Sequence, residues 1–253
     1  MWYNISVKVN VRQIDTIERR IIVFYITGDT HGDFCRYIEF EERIQPTEND
    51  TMIVLGDAGL NYYTGWKDET RKHFVNNFPF TTFCIHGNRK MCPTDISTYQ
   101  TKKYCGGTVW YEKEYPNILF AKDGEVYNFD GYSCIAIGGA YSVDKFYRLA
   151  RGWAWFENEQ PSEEIRAYVE DQLTRRKNEI DIVLSHTCPI KYEPTEVFIQ
   201  GLDQSTVDKS TEEWLGKIEE KLDYKRWYCG HCHTTKKIDK IQFMFEDIDV
   251  LKV

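Results

Sequence analysis

Apolar runs separated by polar, glycine-containing loops dominate the first third of the chain. The first run spans Ile21 to Ile26 and stops before Gly28, and two further runs cover 51–55 and 80–85. Short runs rich in β-branched and aromatic residues predict strands that are buried on both faces, and we expect the first strand to be parallel and central. The segments between the runs have helical spacing, which predicts β-loop-α units joined by right-handed crossovers.

The pattern changes from Thr108 onward, where the apolar runs become shorter and turns more frequent. Four runs predict an antiparallel meander that extends or faces the first sheet, at 108–111, 118–120, 126–129 and 132–137. A long irregular segment is expected from Ala140 to Gln160. The pattern further predicts helices at 34–43, 68–77, 162–177 and 210–222, and strands at 181–184, 226–229 and within 241–253. The expected fold class is α/β.

The bulk properties narrow this picture to one domain. A length of 253 residues suits a single α/β domain with a sizeable core, which we place at 21–253, after an N-terminal extension or extra strand at 1–20. The net charge of −8 argues against a nucleic-acid backbone as the main partner. No apolar run approaches the about 20 residues of a transmembrane helix, and no signal-peptide pattern opens the chain, so we expect a cytoplasmic protein without a membrane partner.

The eight cysteines are expected to be free thiols, because a chain of this length without an export signal is typical of a reducing cytoplasm. Several lie inside apolar runs, where cysteine behaves as a small buried hydrophobe. Cys229 and Cys232 form a C-x-x-C pair, but no second pair accompanies it. A structural zinc site at this pair is therefore not favoured.

Side chains of the kinds that bind metals follow five predicted strands at their carboxyl ends, the edge where open α/β sheets bind ligands. They are Asp29, His31, Asp57, Asn88, His186, His231 and His233. One Asp or His after a strand is most often a turn residue, and His73 and His86 keep such ordinary roles. The repeated pattern instead favours a metal site. These ligands suit Mn²⁺, Fe²⁺ or Zn²⁺, and their number fits two ions if Asp57 bridges them.

The order of these motifs resembles that of the calcineurin-like metallophosphoesterase superfamily. The family motifs Asp-x-His, Gly-Asp, Gly-Asn, His and Gly-His-x-His occur in this order between Gly28 and His233. The resemblance implies a four-layer sandwich of two facing mixed β-sheets flanked by helices. It also implies a first metal ion bound by Asp29, His31, Asp57 and His233, and a second bound by Asp57, Asn88, His186 and His231.

The activity implied by the resemblance is hydrolysis of a phosphomonoester or phosphodiester by metal-activated hydroxide. The substrate would be a phosphorylated small molecule or nucleotide, and pocket shape would decide between the two ester types. Asp57 and His231 would belong to the catalytic residues through the metal ions that they bind. The oligomeric state stays open.

One position departs from the family pattern and opens an alternative. Arg89 stands where the family has a histidine that is thought to protonate the leaving oxygen. Arginine cannot act as a general acid near neutral pH, but its planar fork can bind phosphoryl oxygens. We therefore expect either an enzyme that favours good leaving groups or takes its acid from elsewhere, or a metal- and phosphate-binding protein with impaired catalysis.

Contacts with the substrate are expected from Asn88 and Arg89 and from the irregular segment. There Lys145, Arg148 and Arg151 lie among tyrosine and tryptophan residues, a composition that suits an anion- and ring-binding rim. The alternative is a solvated loop whose aromatic side chains pack on the meander. A nuclease that acts on bulk nucleic acid is a further alternative, which the acidic balance disfavours.

Overall fold

The computed structural model describes residues 22–253 except 64, 199 and 202, so the predicted extension at 1–20 lies outside the described residues. The strands are β1 (Phe24–Thr27), β2 (Thr51–Val54), β3 (Thr81–Cys84), β4 (Tyr99–Tyr104), β5 (Gly107–Glu112), β6 (Tyr115–Ala121), β7 (Val126–Phe129), β8 (Tyr132–Ile137), β9 (Glu179–Ser185), β10 (Asp223–Cys229), β11 (Lys236–Ile238), β12 (Ile241–Phe243) and β13 (Ile248–Val250). The α-helices are α1 (Cys35–Ile44), α2 (Trp66–Asn76), α3 (Lys145–Ala150), α4 (Glu163–Arg175) and α5 (Ser210–Glu219).

The strands form two mixed sheets. The first has seven strands in the order β13-β1-β2-β3-β6-β5-β4, and the second has six in the order β11-β12-β10-β9-β8-β7. Parallel pairing joins β1, β2, β3 and β6 in the first sheet, and β12, β10, β9 and β8 in the second. Antiparallel strands complete the edges of both sheets. The predicted meander is therefore divided, because β5 and β6 extend the first sheet while β7 and β8 belong to the second.

Three details of the prediction are wrong. The first strand is not central, because β13 pairs with it antiparallel, Tyr25 opposite Val250, and leaves it second from the edge. Strand β4 lies in a polar segment, Tyr99–Tyr104, in which every side chain except Tyr99 is exposed or only partly buried, so no apolar run marks it. The segment 140–160 is not irregular throughout, since it contains the short helix α3.

Three apolar clusters separate the layers. One lies between the sheets and contains Ile53 from β2 and Leu184 from β9. A second packs the outer face of the first sheet, including Val54, against Tyr37 of α1. The third packs the second sheet against α4 and α5. Neighbours in β2 thus point to opposite layers, as the period of two along a strand requires. This arrangement confirms the four-layer sandwich of two mixed sheets flanked by helices.

The loops that follow the parallel strands are held together by backbone hydrogen bonds within and between the sheets. The His31 N–H donates to Asp57 O at 2.8 Å, which joins the loops after β1 and β2. The Gly230 N–H donates to His186 O at 2.9 Å, which joins the loops after β10 and β9. These bonds join four of the five loops in two pairs at one edge of the sandwich. None of the helices in the described part of the chain is both long and apolar enough to cross a membrane.

Candidate metal centre

The structure brings five of the seven predicted ligands, from four loops, into two overlapping groups. Asp29, His31 and His233 offer ligand atoms within 4.8 Å of one another, and so do Asp29, Asp57 and His186. The carboxylates are almost completely buried, with Asp29 1% and Asp57 2% exposed. The imidazoles of His31 and His233 are partly exposed, so the centre is open to solvent on that side.

The first group surrounds a buried oxygen that lacks a hydrogen bond. Asp29 Oδ1 accepts a hydrogen bond from the His231 N–H at 3.0 Å. Asp29 Oδ2 has no partner among the described residues, although His233 Nε2 lies 3.4 Å and His31 Nε2 3.6 Å away. The two imidazole nitrogens are themselves 2.9 Å apart. A buried, unpaired carboxylate oxygen is costly unless a cation neutralises it, so these three residues fit a divalent metal ion.

The second group is arranged around His186, which is completely buried. His186 Nδ1 lies 2.8 Å from Leu55 O, and a carbonyl only accepts, so Nδ1 carries the proton. In the neutral imidazole, Nε2 then has a free lone pair and faces Asn88 Oδ1 at 2.8 Å. The Asn88 amide nitrogen donates to Ser142 Oγ at 2.8 Å, which fixes its carbonyl oxygen toward His186. A cation near His186 Nε2 and Asn88 Oδ1 would stabilise the two lone pairs that face each other. The hydrogen bond from Nδ1 to a backbone carbonyl is typical of metal-binding histidines.

Asp57 belongs to the second group and also lies near the first. Its Oδ2 is 3.9 Å from His31 Nδ1, and its Oδ1 is 3.9 Å from His186 Nε2. The Arg89 N–H donates to Asp57 Oδ1 at 2.9 Å. The ring of His231 packs against that of His186, with their centroids 4.9 Å apart. Asp57 is therefore placed to contribute one oxygen to each side of the centre.

The protonation states suit metal binding, because metal ligands must be deprotonated. Burial opposes ionisation of Asp29, but the neighbouring imidazoles of His186, His233 and His31 outweigh it and hold the pKa of Asp29 well below its usual range. Burial also lowers the pKa of His31, and burial together with His186 lowers the pKa of His231 to about 3. His233 behaves oppositely, since its contact with Asp29 raises its pKa. At neutral pH the centre therefore offers at least one carboxylate and two neutral imidazoles.

Four of the predicted ligands have a left-handed backbone conformation. The φ angles are 48° at His31, 39° at Asp57, 63° at His231 and 46° at His233. Such conformations cost side-chain-bearing residues about 1–3 kcal/mol each and cluster at functional sites. Their concentration in one group of loops supports a binding role for these residues, since turn formation alone would favour glycine or asparagine.

Two glycines allow the loops to approach so closely. Gly56 has φ +98°, and a Cβ at this position would lie 2.0 Å from His186 Nδ1. A Cβ at Gly230 would lie 2.4 Å from Asp29 Oδ1. Both positions exclude a side chain because a metal-ligand candidate occupies the space.

Arg89 borders the centre but is already paired. Its Nη2 donates to Asp144 Oδ2 at 2.8 Å, and its Nε lies 3.9 Å from Asp57 Oδ2. About a third of the side chain is exposed, so part of the guanidinium still faces the open side of the site. Asp144, which the sequence did not single out, thus fixes the position of Arg89.

The other predicted substrate contacts lie elsewhere. Arg148 is 2% exposed, and its guanidinium donates to Tyr62 Oη at 3.1 Å and to Ala154 O. Lys145 Nζ lies 3.9 Å from the centre of the Trp155 ring. Neither residue lines the cavity beside the metal-ligand candidates, whereas Asn88 and Arg89 do. The rim that we predicted from Lys145, Arg148 and Arg151 is therefore not part of this cavity. All three cations instead contact side chains or backbone around the segment that follows Asp144.

The two histidines left out of the predicted ligand set have other partners. His86 Nδ1 lies 3.2 Å from Asp123 Oδ2, and its Nε2 lies 3.3 Å from Cys92 Sγ. Burial opposes protonation of His86, but Cys92 and Asp123 outweigh it and raise its pKa to about 9. His73 is exposed and lies 3.7 Å from Glu114. All eight cysteines are free.

A cavity of about 200 Å³ opens beside the candidate metal centre. Asp57, Asn88, Arg89, His231 and His233 border it on one side, and the other side is formed by Thr187, Cys188, Glu193, Val197, Phe198, Gln204, Val207, Lys209 and Glu212. Glu212, in the first turn of α5, lines this far wall and is 6% exposed. The sequence did not single it out, because a glutamate in the first turn of a helix is usually a solvated residue that complements the helix dipole.

Glu212 should make stability depend on pH. Burial raises its pKa to about 7, so the carboxyl holds its proton more tightly in the folded than in the unfolded chain. The resulting penalty is absent below about pH 4.5, grows as the pH rises and is complete above pH 7. Glu212→Gln removes it, so the variant should melt about 5–10 °C above wild type at pH 8 and within about 2 °C at pH 4.5.

Thermal melts in a chelating buffer test this expectation. The control is Glu213→Gln, because Glu213 is the next residue of the same helix and is exposed. The expectation would be contradicted if both variants raised the melting temperature equally at pH 8. It would also be contradicted if Glu212→Gln raised the melting temperature by the same amount at every pH.

An α/β sandwich with carboxylates and imidazoles collected at its strand ends is the architecture of the metallophosphoesterase fold. Residues 22–235 match the model of the calcineurin-like phosphoesterase family, and the chain therefore belongs to that family. No curated protein matches the chain. A solved crystal structure is similar over 87% of this chain and 88% of its own, with 14% sequence identity and a TM-score of 0.45. That distant likeness adds nothing to the family assignment.

Proposed function

We propose that the protein is a dinuclear metal-dependent phosphoesterase that hydrolyses a phosphorylated small molecule or nucleotide. One observation carries the proposal: the two ligand groups share Asp29, and Asp57 has one oxygen 3.9 Å from His31 Nδ1 of the first group and the other 3.9 Å from His186 Nε2 of the second. The buried Asp29 Oδ2 lacks a hydrogen-bond partner among the described residues. Both groups come from loops at one edge of the sheets and border a cavity. This is the arrangement expected where a reaction on a bound ester takes place.

The ligands divide between the two sides of the centre. Asp29, His31, Asp57 and His233 would hold one ion, and Asp57, Asn88, His186 and His231 would hold the other. Mixed carboxylate, amide and imidazole ligands suit Mn²⁺, Fe²⁺ or Zn²⁺. When bound, two such ions polarise the phosphoryl group and lower the pKa of a water molecule, so that it is a nucleophile at neutral pH.

Arg89 would stabilise the phosphoryl group rather than supply a proton. Its exposed N–H groups face the open side of the centre, and Asp144 holds the guanidinium in place. Preorganised donors of this kind stabilise charge that develops in the transition state. Because arginine cannot protonate the leaving oxygen, the enzyme should prefer esters whose leaving groups are stable as anions, such as aryl esters.

The test is hydrolysis of p-nitrophenyl phosphate and bis(p-nitrophenyl) phosphate by the purified protein with Mn²⁺. We expect turnover of at least one ester, its loss on chelation and its return when Mn²⁺ is added again. Because both esters have the same good leaving group, their ratio also tells a monoesterase from a diesterase. Tight Mn²⁺ binding without turnover of either ester would overturn the proposal, and would instead indicate a metal-binding protein with impaired catalysis.

A further inference from the structure

The lining of the cavity beside the metal centre is largely apolar. Tyr141, Val143, Val197, Phe198 and Val207 contribute to it. The cavity, at about 200 Å³, is smaller than the roughly 300–1,000 Å³ that hold drug-sized ligands. It therefore suits the one or two rings of an organic group attached to a phosphoryl group at the metal centre, and is too small for a polymer.

The charged groups on the side of the cavity opposite the metal-ligand candidates are paired, with one exception. Lys209 Nζ donates to Glu193 Oε2 at 2.7 Å and lies 5.2 Å from the centre of the Phe198 ring. Glu212 Oε1 accepts from Thr187 Oγ1 at 2.8 Å. Glu212 Oε2 is buried and has no partner within the described part of the chain. Leaving a buried polar atom unpaired costs about 1–3 kcal/mol, and a ligand with a hydrogen-bond donor would remove that cost.

The Glu212 carboxyl can accept a hydrogen bond in either protonation state. The titratable groups that influence it are Glu193, Lys209 and Cys188. Burial is the main cause of its raised pKa, and the Thr187 hydroxyl opposes that rise. Whether ionised or neutral, the carboxyl retains an acceptor oxygen for an N–H or O–H group.

We propose that Glu212 determines the specificity of this site: the cavity receives the organic group of the ester, and Glu212 binds an N–H or O–H donor on that group. The substrate is then a phosphoester of a ring-bearing alcohol with such a donor, a class that includes nucleotides and aminoaryl phosphates. The inference rests on the proposed function for the position of the phosphoryl group. Sites that hydrogen-bond a substrate group discriminate strongly against analogues without it, because the polar atom of the site is then left unpaired.

Matched substrates test the proposal. Phenyl phosphate lacks a donor on its ring, whereas 3-aminophenyl and 4-aminophenyl phosphate carry one and have leaving groups of similar acidity. With Mn²⁺, wild type should show a kcat/KM at least about tenfold higher for one of the amino esters than for phenyl phosphate. Glu212→Leu should reduce that ratio to within about twofold of one. Glu212→Gln, which retains an acceptor oxygen, should keep most of the ratio, and so should the exposed control Glu213→Leu.

A binding measurement separates this proposal from the proposed function. Calorimetry with phenylphosphonate and its 3-amino and 4-amino derivatives, which are not hydrolysed, should show the same preference and its loss in Glu212→Leu. If no ester turns over but the binding preference depends on Glu212, the proposed function fails and the specificity role stands. A thermal melt shows whether Glu212→Leu is folded. The specificity role is overturned if the folded variant and wild type prefer the amino derivatives over the parent phenyl compound by equal ratios, in both binding and turnover.

Discussion

Asp57→Asn should reduce hydrolysis of p-nitrophenyl esters by a factor on the order of 10³ and lower the metal content of the protein. In the proposed ligand sets Asp57 is the residue that both ions share, and its oxygens lie 3.9 Å from His31 Nδ1 and 3.9 Å from His186 Nε2. Asparagine keeps the shape of the side chain but removes the negative charge and one ligand oxygen. The change therefore weakens both ions, whereas loss of any other ligand weakens one.

Metal content by mass spectrometry of dialysed protein, measured with activity, checks this prediction. The control is Asp130→Asn, because Asp130 is exposed and lies in the turn between β7 and β8. It has a positive φ of 53°, which asparagine tolerates as well as aspartate does. If Asp57→Asn retains both its metal and its activity, the shared-ligand assignment is wrong.

Arg89→His should change the choice of leaving group more than it changes the rate on good substrates. Histidine can donate a proton to the leaving oxygen, and such acid catalysis contributes about 10²–10⁴-fold where the leaving group is poor. We expect hydrolysis of an alkyl phosphate such as glycerol phosphate to rise by about 10²-fold, and hydrolysis of p-nitrophenyl phosphate to change by less than about tenfold.

Steady-state kinetics on the two esters test this prediction for Arg89→His, with Arg175→His as the matched control. Arg175 is exposed on α4 and pairs with Asp171 of the same helix. An inert wild type that gains orders of magnitude on p-nitrophenyl phosphate through Arg89→His would contradict the active-enzyme proposal. If Arg89→His raised the rates on both esters equally, only the argument that histidine protonates the leaving oxygen would be contradicted.

The layers followed from the family resemblance, and the pattern of apolar runs placed the candidate ligands at one edge of the sheets. Buried parallel strands are continuous apolar runs, and glycine followed by Asp, Asn or His at their ends marks the sheet edge where loops converge. This is why Asp29 and His233, far apart along the chain, could be predicted to share one site, and the structure places His233 Nε2 3.4 Å from Asp29 Oδ2.

What the sequence could not supply depends on long-range contacts. The pairing of β13 with the free edge of β1 could not be predicted from the sequence, and β4 exists because β5 pairs with it, so tertiary pairing outweighs the polar composition of β4. Arg148 resembles a surface cation in sequence, yet it is buried against Tyr62. Glu212 became visible only when its unpartnered oxygen and the neighbouring cavity were known.

The most direct test of the dinuclear centre is anomalous diffraction from crystals of the wild-type protein grown with Mn²⁺. The proposal predicts two anomalous peaks at the carboxyl ends of the strands, both in contact with Asp57. One peak should also contact Asp29, His31 and His233, and the other Asn88, His186 and His231. A single peak, or two peaks of which neither contacts Asp57, would contradict it.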